Sequence, residues 1–116
     1  MIYLKDVKGC GKGVFTDKFI SRGSLIVENP VIPYTYSKIE KSELKDYSMA
    51  WSNKHDCLAM GLINFMNHSE KPNIYLKRFK KYGTIRAYAK RNIQYGEELR
   101  FHLMRAETPT SLVWGR

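Results

Sequence analysis

Cysteine is scarce in this chain of 116 residues: only Cys10 and Cys57 carry a thiol. Two thiols without a surrounding Cys/His set cannot build a structural zinc centre, and they read as ordinary free thiols of a reducing compartment. No apolar run approaches the roughly 18 residues that a membrane-spanning helix needs. The opening MIYLKDVKGCGKG lacks the apolar core and small-residue cleavage site of a secretory signal. These absences lead us to expect an intracellular protein with no membrane role. Linkers, low-complexity tracts and internal repeats are missing too, so one domain over residues 1–116 is expected, burying about two-thirds of its unfolded surface. Disorder is excluded by 43% hydrophobic and 13% aromatic content.

Acidic residues are in short supply: 11 Asp and Glu face 20 Lys and Arg, a net charge of +9. Between residues 70 and 91 Glu70 is the only acid among eight basic residues, Lys71, Lys77, Arg78, Lys80, Lys81, Arg86, Lys90 and Arg91. A solvated hairpin face accounts for that asymmetry, and without aromatic interleaving or a nucleic-acid motif, nucleic acid is not the expected partner. Over residues 38–56, Glu40, Glu43, Asp46 and Asp56 offset Lys38, Lys41, Lys45 and Lys54, so a basic peptide is least repelled there.

The local patterns predict a mostly β protein with short helices. GVF at 13–15 and LIVE at 25–28 are β-prone and separated by a turn signal, SRG. NPVIP carries two prolines, which a central strand is expected to refuse. SKIEKSELKDYSMAW, residues 37–51, is the one convincing helix, with Leu44, Tyr47, Ser48 and Trp51 on one face. NIYLKRF and TIRAYAK alternate around KKYG and predict a hairpin, and EELRFHL predicts a further strand.

Two polar segments stand out. GCGKG fails the spacing of a dinucleotide fingerprint and the ending of a P-loop. It is either a flexible glycine turn or a place where backbone must approach a bulky ligand. Asn67-His68-Ser69 follows an apolar run and closes at Pro72-Asn73. By itself it is either a hydrogen-bonded loop or a polar binding loop. His55 and His102 look too scattered to join His68 in a metal set, and no metal is expected.

Order along the chain adds more. GKGVFTDKFISRGSLIVE, INFMNHSEKPN and AKRNIQYGEELRF, collinear over residues 9–103, resemble the three signature segments of the SET domain, the protein-lysine methyltransferase fold. The chain is most similar to compact stand-alone SET proteins of bacteria and viruses, without zinc-binding flanks. Their settings would be a bacterial cytoplasm or a virus-infected host cell. The resemblance implies several short curved sheets of β-clip type and a C-terminal pseudoknot in which residues 99–103 pass beneath the Asn67 segment.

It also implies a function: S-adenosylmethionine-dependent methylation of lysine in a histone-like or other protein, with S-adenosylhomocysteine as product. Lys12 and Gly13 would offer backbone to the donor, with Gly11 easing its approach. Asn67 and His68 would bind its amino-acid and adenosine parts, and Trp114 would cover the adenine or part of the lysine channel. Tyr34, Tyr36, Tyr47, Trp51, Tyr75 and Tyr88 are the aromatic candidates for that channel, Tyr47 and Trp51 foremost. The sequence departs from the family pattern at Leu103, where a tyrosine normally orients the amine. Tyr75 or Tyr88 are the candidates to replace it. The alternative is a catalytically weak or inactive binding module. With so little flanking chain, a homodimer that completes the pocket stays open as well.

Overall fold

The structure, a computed structural model, describes residues 1–9, 11–35 and 48–102. The chain starts in an antiparallel hairpin, β1 (Ile2–Val7) on β2 (Gly11–Thr16), with Ile2 opposite Thr16 and Val7 opposite Gly11. Gly9 and Gly11 flank the turn at φ of 81° and 78°, a region costly for residues with a Cβ. Gly9 and Gly11 thus stand where the hairpin reverses, and Gly11, Lys12 and Gly13 already belong to β2.

β3 runs from Leu25 to Thr35 and is the middle strand of a five-stranded sheet of order β4-β5-β3-β8-β7. The prolines do not break it, contrary to expectation, because β3 changes partners beside them. Residues 25–30 pair with β8 (Thr84–Ala89), and residues 31–35 pair with β5 (His55–Ala59). The Pro30 carbonyl accepts from Met60 on the β5 side, while the Val31 N–H donates to Gly83 on the β8 side. The donor that Pro30 lacks would point away from β8, so its ladder loses no bond there.

The helix over 37–51 requires a correction. Ser48–Ala50 is a short edge strand, β4, antiparallel to β5 with Met49 opposite Cys57. The rest of the expected helix lies outside the described residues. Burial of Met49, opposite Cys57, and of Trp51, together with cross-strand hydrogen bonds, outweighs the helical spacing read from the sequence. Among the described residues the helical element is a 3-10 turn, Leu62–Phe65.

The hairpin is as expected. β7 (Ile74–Phe79) pairs with β8 from Ile74 opposite Ala89 to Phe79 opposite Thr84, and Gly83 closes the turn at φ 65°. Ile74, Leu76, Ile85, Ala87 and Ala89 face the core with Val14, Ile63, Ile93 and Leu99. The strand expected over EELRFHL is shorter. It comprises Arg100–Phe101, β9, parallel to β6 (Asn67–His68). Glu98 and Leu99 serve another purpose: Glu98 bridges to Phe15, and the Leu99 N–H donates to the Val14 carbonyl at 2.7 Å. Among the described residues no helix is long and apolar enough to cross a membrane.

Candidate functional site

The parallel pair β6 and β9 needs a pin, because two-residue strands hold little by themselves. Asn73 supplies it. Its Nδ2 donates to the Glu98 carbonyl at 2.8 Å, its Oδ1 accepts the Arg100 N–H at 2.8 Å, and its side chain is nearly buried. Ser69 and Asn73 also donate backbone N–H groups to the carbonyls of Phe101 and Arg100. The Asn67–Asn73 segment is thereby laced along residues 98–101, the contact that the expected pseudoknot requires.

On this support Asn67 joins two distant parts of the chain. Its Nδ2 donates to the Lys12 carbonyl at 3.1 Å and to Glu98 Oε2 at 2.7 Å. Glu98 Oε1 is held in turn by Arg100, Nε at 2.9 Å and the neighbouring guanidinium nitrogen at 2.8 Å, with the carboxylate side chain only 6% exposed. Gly13 explains how this carboxylate fits. A Cβ there would lie 2.5 Å from Glu98 Oε2 and 2.8 Å from Val7. Gly11 differs, since a Cβ there would meet nothing within 4 Å, leaving open space beside the Gly11-Lys12 backbone.

A cleft of about 210 Å³ opens beside this node, with Lys71, Arg91 and Arg100 against Glu97 and Glu98. The Arg91 hydrogen bond and the Gln94 backbone hold the Glu97 carboxyl below its usual range. Next to Asn67, His68 projects outward and its Nε2 lies 3.1 Å from Glu70 Oε2, while His102 Nε2 lies 3.2 Å from Glu70 Oε1. The two imidazole rings meet edge to face at 4.7 Å. The expectation that the histidines are scattered is therefore corrected for this pair, because the β6–β9 pairing brings residues 68 and 102 together. His55 stays apart, on β5 against Ser52.

The aromatic candidates divide. Tyr75 and Tyr88 stand opposite each other on the hairpin face away from the core, their rings stacked at 5.4 Å, and the Tyr88 hydroxyl accepts from Arg86 at 3.2 Å. These partners engage them with each other and with Arg86. Trp51 is 8% exposed, in the core at the end of β4. Tyr34 is half-buried on β3 and its phenol is pushed up by burial. Tyr36, Tyr47, Leu103 and Trp114 lie outside the described residues.

Comparison with known proteins decides what this arrangement is: the family model of the SET domain matches residues 11–102. The chain belongs to the SET-domain family. That makes it a member of an enzyme family, the fold of the protein-lysine methyltransferases. Among similar proteins is the histone-lysine N-methyltransferase, H3 lysine-37 specific, of Schizosaccharomyces pombe, 31% identical over 100 residues, which are 83% of this chain and 68% of the relative. Among solved structures, the crystal structure of a candidate histone methyltransferase of Plasmodium falciparum superposes with a TM-score of 0.75 at 26% identity. The match covers 90% of this chain and 98% of that one.

Within this SET domain, reading the sequence overlooked Glu98 and Glu70, and it expected the Pro72-Asn73 end to fix the loop without naming what Asn73 binds. Glu98 and Asn73 lie inside segments that carried the resemblance, but nothing in their spacing showed them meeting. Glu70 had a local signal, the His-x-Glu spacing at 68–70.

Proposed function

We propose that this SET domain is an S-adenosylmethionine-dependent protein-lysine methyltransferase whose donor lies along Gly11–Gly13 and Asn67–His68. The observation that carries the reading is the single side chain, Asn67, that fastens the Lys12 carbonyl to the second motif segment. A fit with the donor is supported by the open space beside Gly11 and by exposed Lys12 and His68 on either side of Asn67. When bound, S-adenosylmethionine supplies an electrophilic methyl group. The chain's own task is to orient the lysine amine and keep it neutral. An aromatic channel strips water from the ammonium and lowers its pKa, and a fixed approach removes an entropic barrier. Tyr47 and Trp51 are assigned to that channel, and Trp114 to covering the adenine.

The substrate class is lysine in a protein, and the yeast relative makes a histone H3 sequence the first probe. The net charge of +9 works against long-range attraction of a basic tail, which leaves the acids of residues 40–56 to receive it. Leu103 favours a second reading, a binding module or weak enzyme, because loss of one oriented hydrogen-bonding group at a reacting centre costs about 100-fold or more. Tyr75 and Tyr88, stacked on each other, would have to leave that contact to replace it.

Calorimetric titration with S-adenosylmethionine tests the donor site, with Asn67→Ala as the variant, since the His68 side chain points instead to Glu70. Affinity should fall about tenfold or more when a hydrogen bond with a charged partner is lost. Methyl incorporation into histone H3 and a mixed pool of lysine-rich proteins then separates enzyme from module. Leu103→Tyr should raise turnover in a weak enzyme and leave a module silent. Absence of donor binding by the unmutated chain would reject the reading.

A further inference from the structure

The side chains of His68, Glu70 and His102 form a cluster that amine positioning does not use, and the donor reading draws on the backbone of His68 while its ring turns to Glu70. Their potential ligand atoms all lie within 4.8 Å of one another. In a tetrahedral zinc site with bonds of about 2.0–2.1 Å, neighbouring ligand atoms are roughly 3.3 Å apart. His68 Nε2 lies 3.1 Å from Glu70 Oε2 and His102 Nε2 3.2 Å from Glu70 Oε1, so each imidazole is at that edge distance from its own carboxylate oxygen. A turn of the exposed carboxylate and a narrower gap between the imidazoles complete the set. We propose that His68 Nε2, a Glu70 carboxylate oxygen and His102 Nε2 bind a divalent transition ion, Zn²⁺ fitting best, with solvent completing the coordination.

The chemistry of the donor set is consistent with such an ion. Two imidazoles and one carboxylate are borderline ligands that suit zinc rather than magnesium or calcium. Coordination requires each imidazole to carry its proton on Nδ1 instead of Nε2. At His102 that proton finds no acceptor among the described residues, a cost that the metal bond has to offset.

The ion would cross-link β6 to β9, because His68 and Glu70 belong to the first segment and His102 follows the second. Binding would therefore be coupled to the fold. It would also act beside the backbone assigned to the donor, and to that extent its role in regulating donor binding rests on the proposed function. The ion site itself does not.

The full chain, stripped with chelator, is titrated with Zn²⁺ by calorimetry without donor, and with Co²⁺ while visible absorption is recorded. One equivalent is expected to bind, with a raised melting midpoint and weak ligand-field bands of nitrogen and oxygen coordination. Glu70→Gln and His102→Gln should each lose affinity by at least about tenfold, whereas His55→Gln should bind as the native chain does. Equal binding by His102→Gln and the native chain would overturn the proposal, as would no binding or a sulfur-to-cobalt charge-transfer band. Donor titration of metal-free Glu70→Gln separates the two ideas. If it binds S-adenosylmethionine but not Zn²⁺, both stand; if neither native chain nor variant binds donor while zinc binding follows the pattern above, only the donor site falls.

Discussion

Truncating Asn73 to alanine removes both hydrogen bonds with which its side chain pins residues 98–100. The Glu98 carbonyl loses a donor and the Arg100 N–H loses an acceptor, each at 2.8 Å. A buried group left unpaired costs about 1–3 kcal/mol, so two cost roughly 2–6 kcal/mol. Asn73 borders the cleft, and water entering there satisfies part of the loss, which places the expectation near the lower end, about 3 kcal/mol. For a domain of this size that lowers the melting midpoint by about 10 °C. Urea denaturation followed by tryptophan fluorescence gives the free energy, and calorimetry gives the midpoint. Asn73→Asp sharpens the test: it keeps the acceptor for Arg100 but turns a carboxylate oxygen toward the Glu98 carbonyl and adds a nearly buried charge. It should be at least as destabilised as the alanine variant. A loss below about 1 kcal/mol for Asn73→Ala, or native stability for Asn73→Asp, would refute the assignment of Asn73 as the pin.

Other consequences follow from the same contacts. Gly13→Ala places a methyl group against Glu98 and Val7, and since Arg100 and Asn67 hold the carboxylate, relief breaks the link to Asn67. A loss of about 1–3 kcal/mol is expected in thermal unfolding, together with weaker donor binding. Cys57 is fully buried, which pushes its thiol up to about 12, so peptide mapping after native labelling at pH 8 should find it unmodified. Its folded value is raised, so its contribution to stability is complete below the ordinary thiol value and is lost as pH rises toward about 12; Cys57→Ala should blunt that alkaline loss in denaturation curves. Glu97 has the opposite sign: Arg91 lowers its pKa, so the stability it gives is present above the usual carboxylate value and is lost as pH falls through the lowered one. Acid titrations of Arg91→Ala should show a smaller loss.

Much of the strand content was legible because it is written locally. The alternation in NIYLKRF and TIRAYAK, with the glycine in KKYG, predicts the hairpin that forms, since pleating puts every second side chain on one face. The prolines of NPVIP misled for a physical reason. A missing N–H matters only on a side where the ladder needs it, and β3 switches partners at that point. Helical spacing misled at Ser48–Trp51 because four residues of suitable period carry less free energy than burial of Met49 and Trp51 beside β5.

The sequence by itself determined the mostly β class, the hairpin of NIYLKRF and TIRAYAK and, through three collinear motifs, the SET family. Each is written in short-range patterns of side-chain type and spacing. Only the tertiary structure decided that Asn67 meets Lys12 and Glu98, that Asn73 pins residues 98–100, and that His68 and His102 share Glu70. Those meetings arise from the parallel pairing of β6 with β9, which joins residues more than 30 positions apart. No local pattern encodes that register, because it is set by where the sheets and the core leave both segments once the chain has folded.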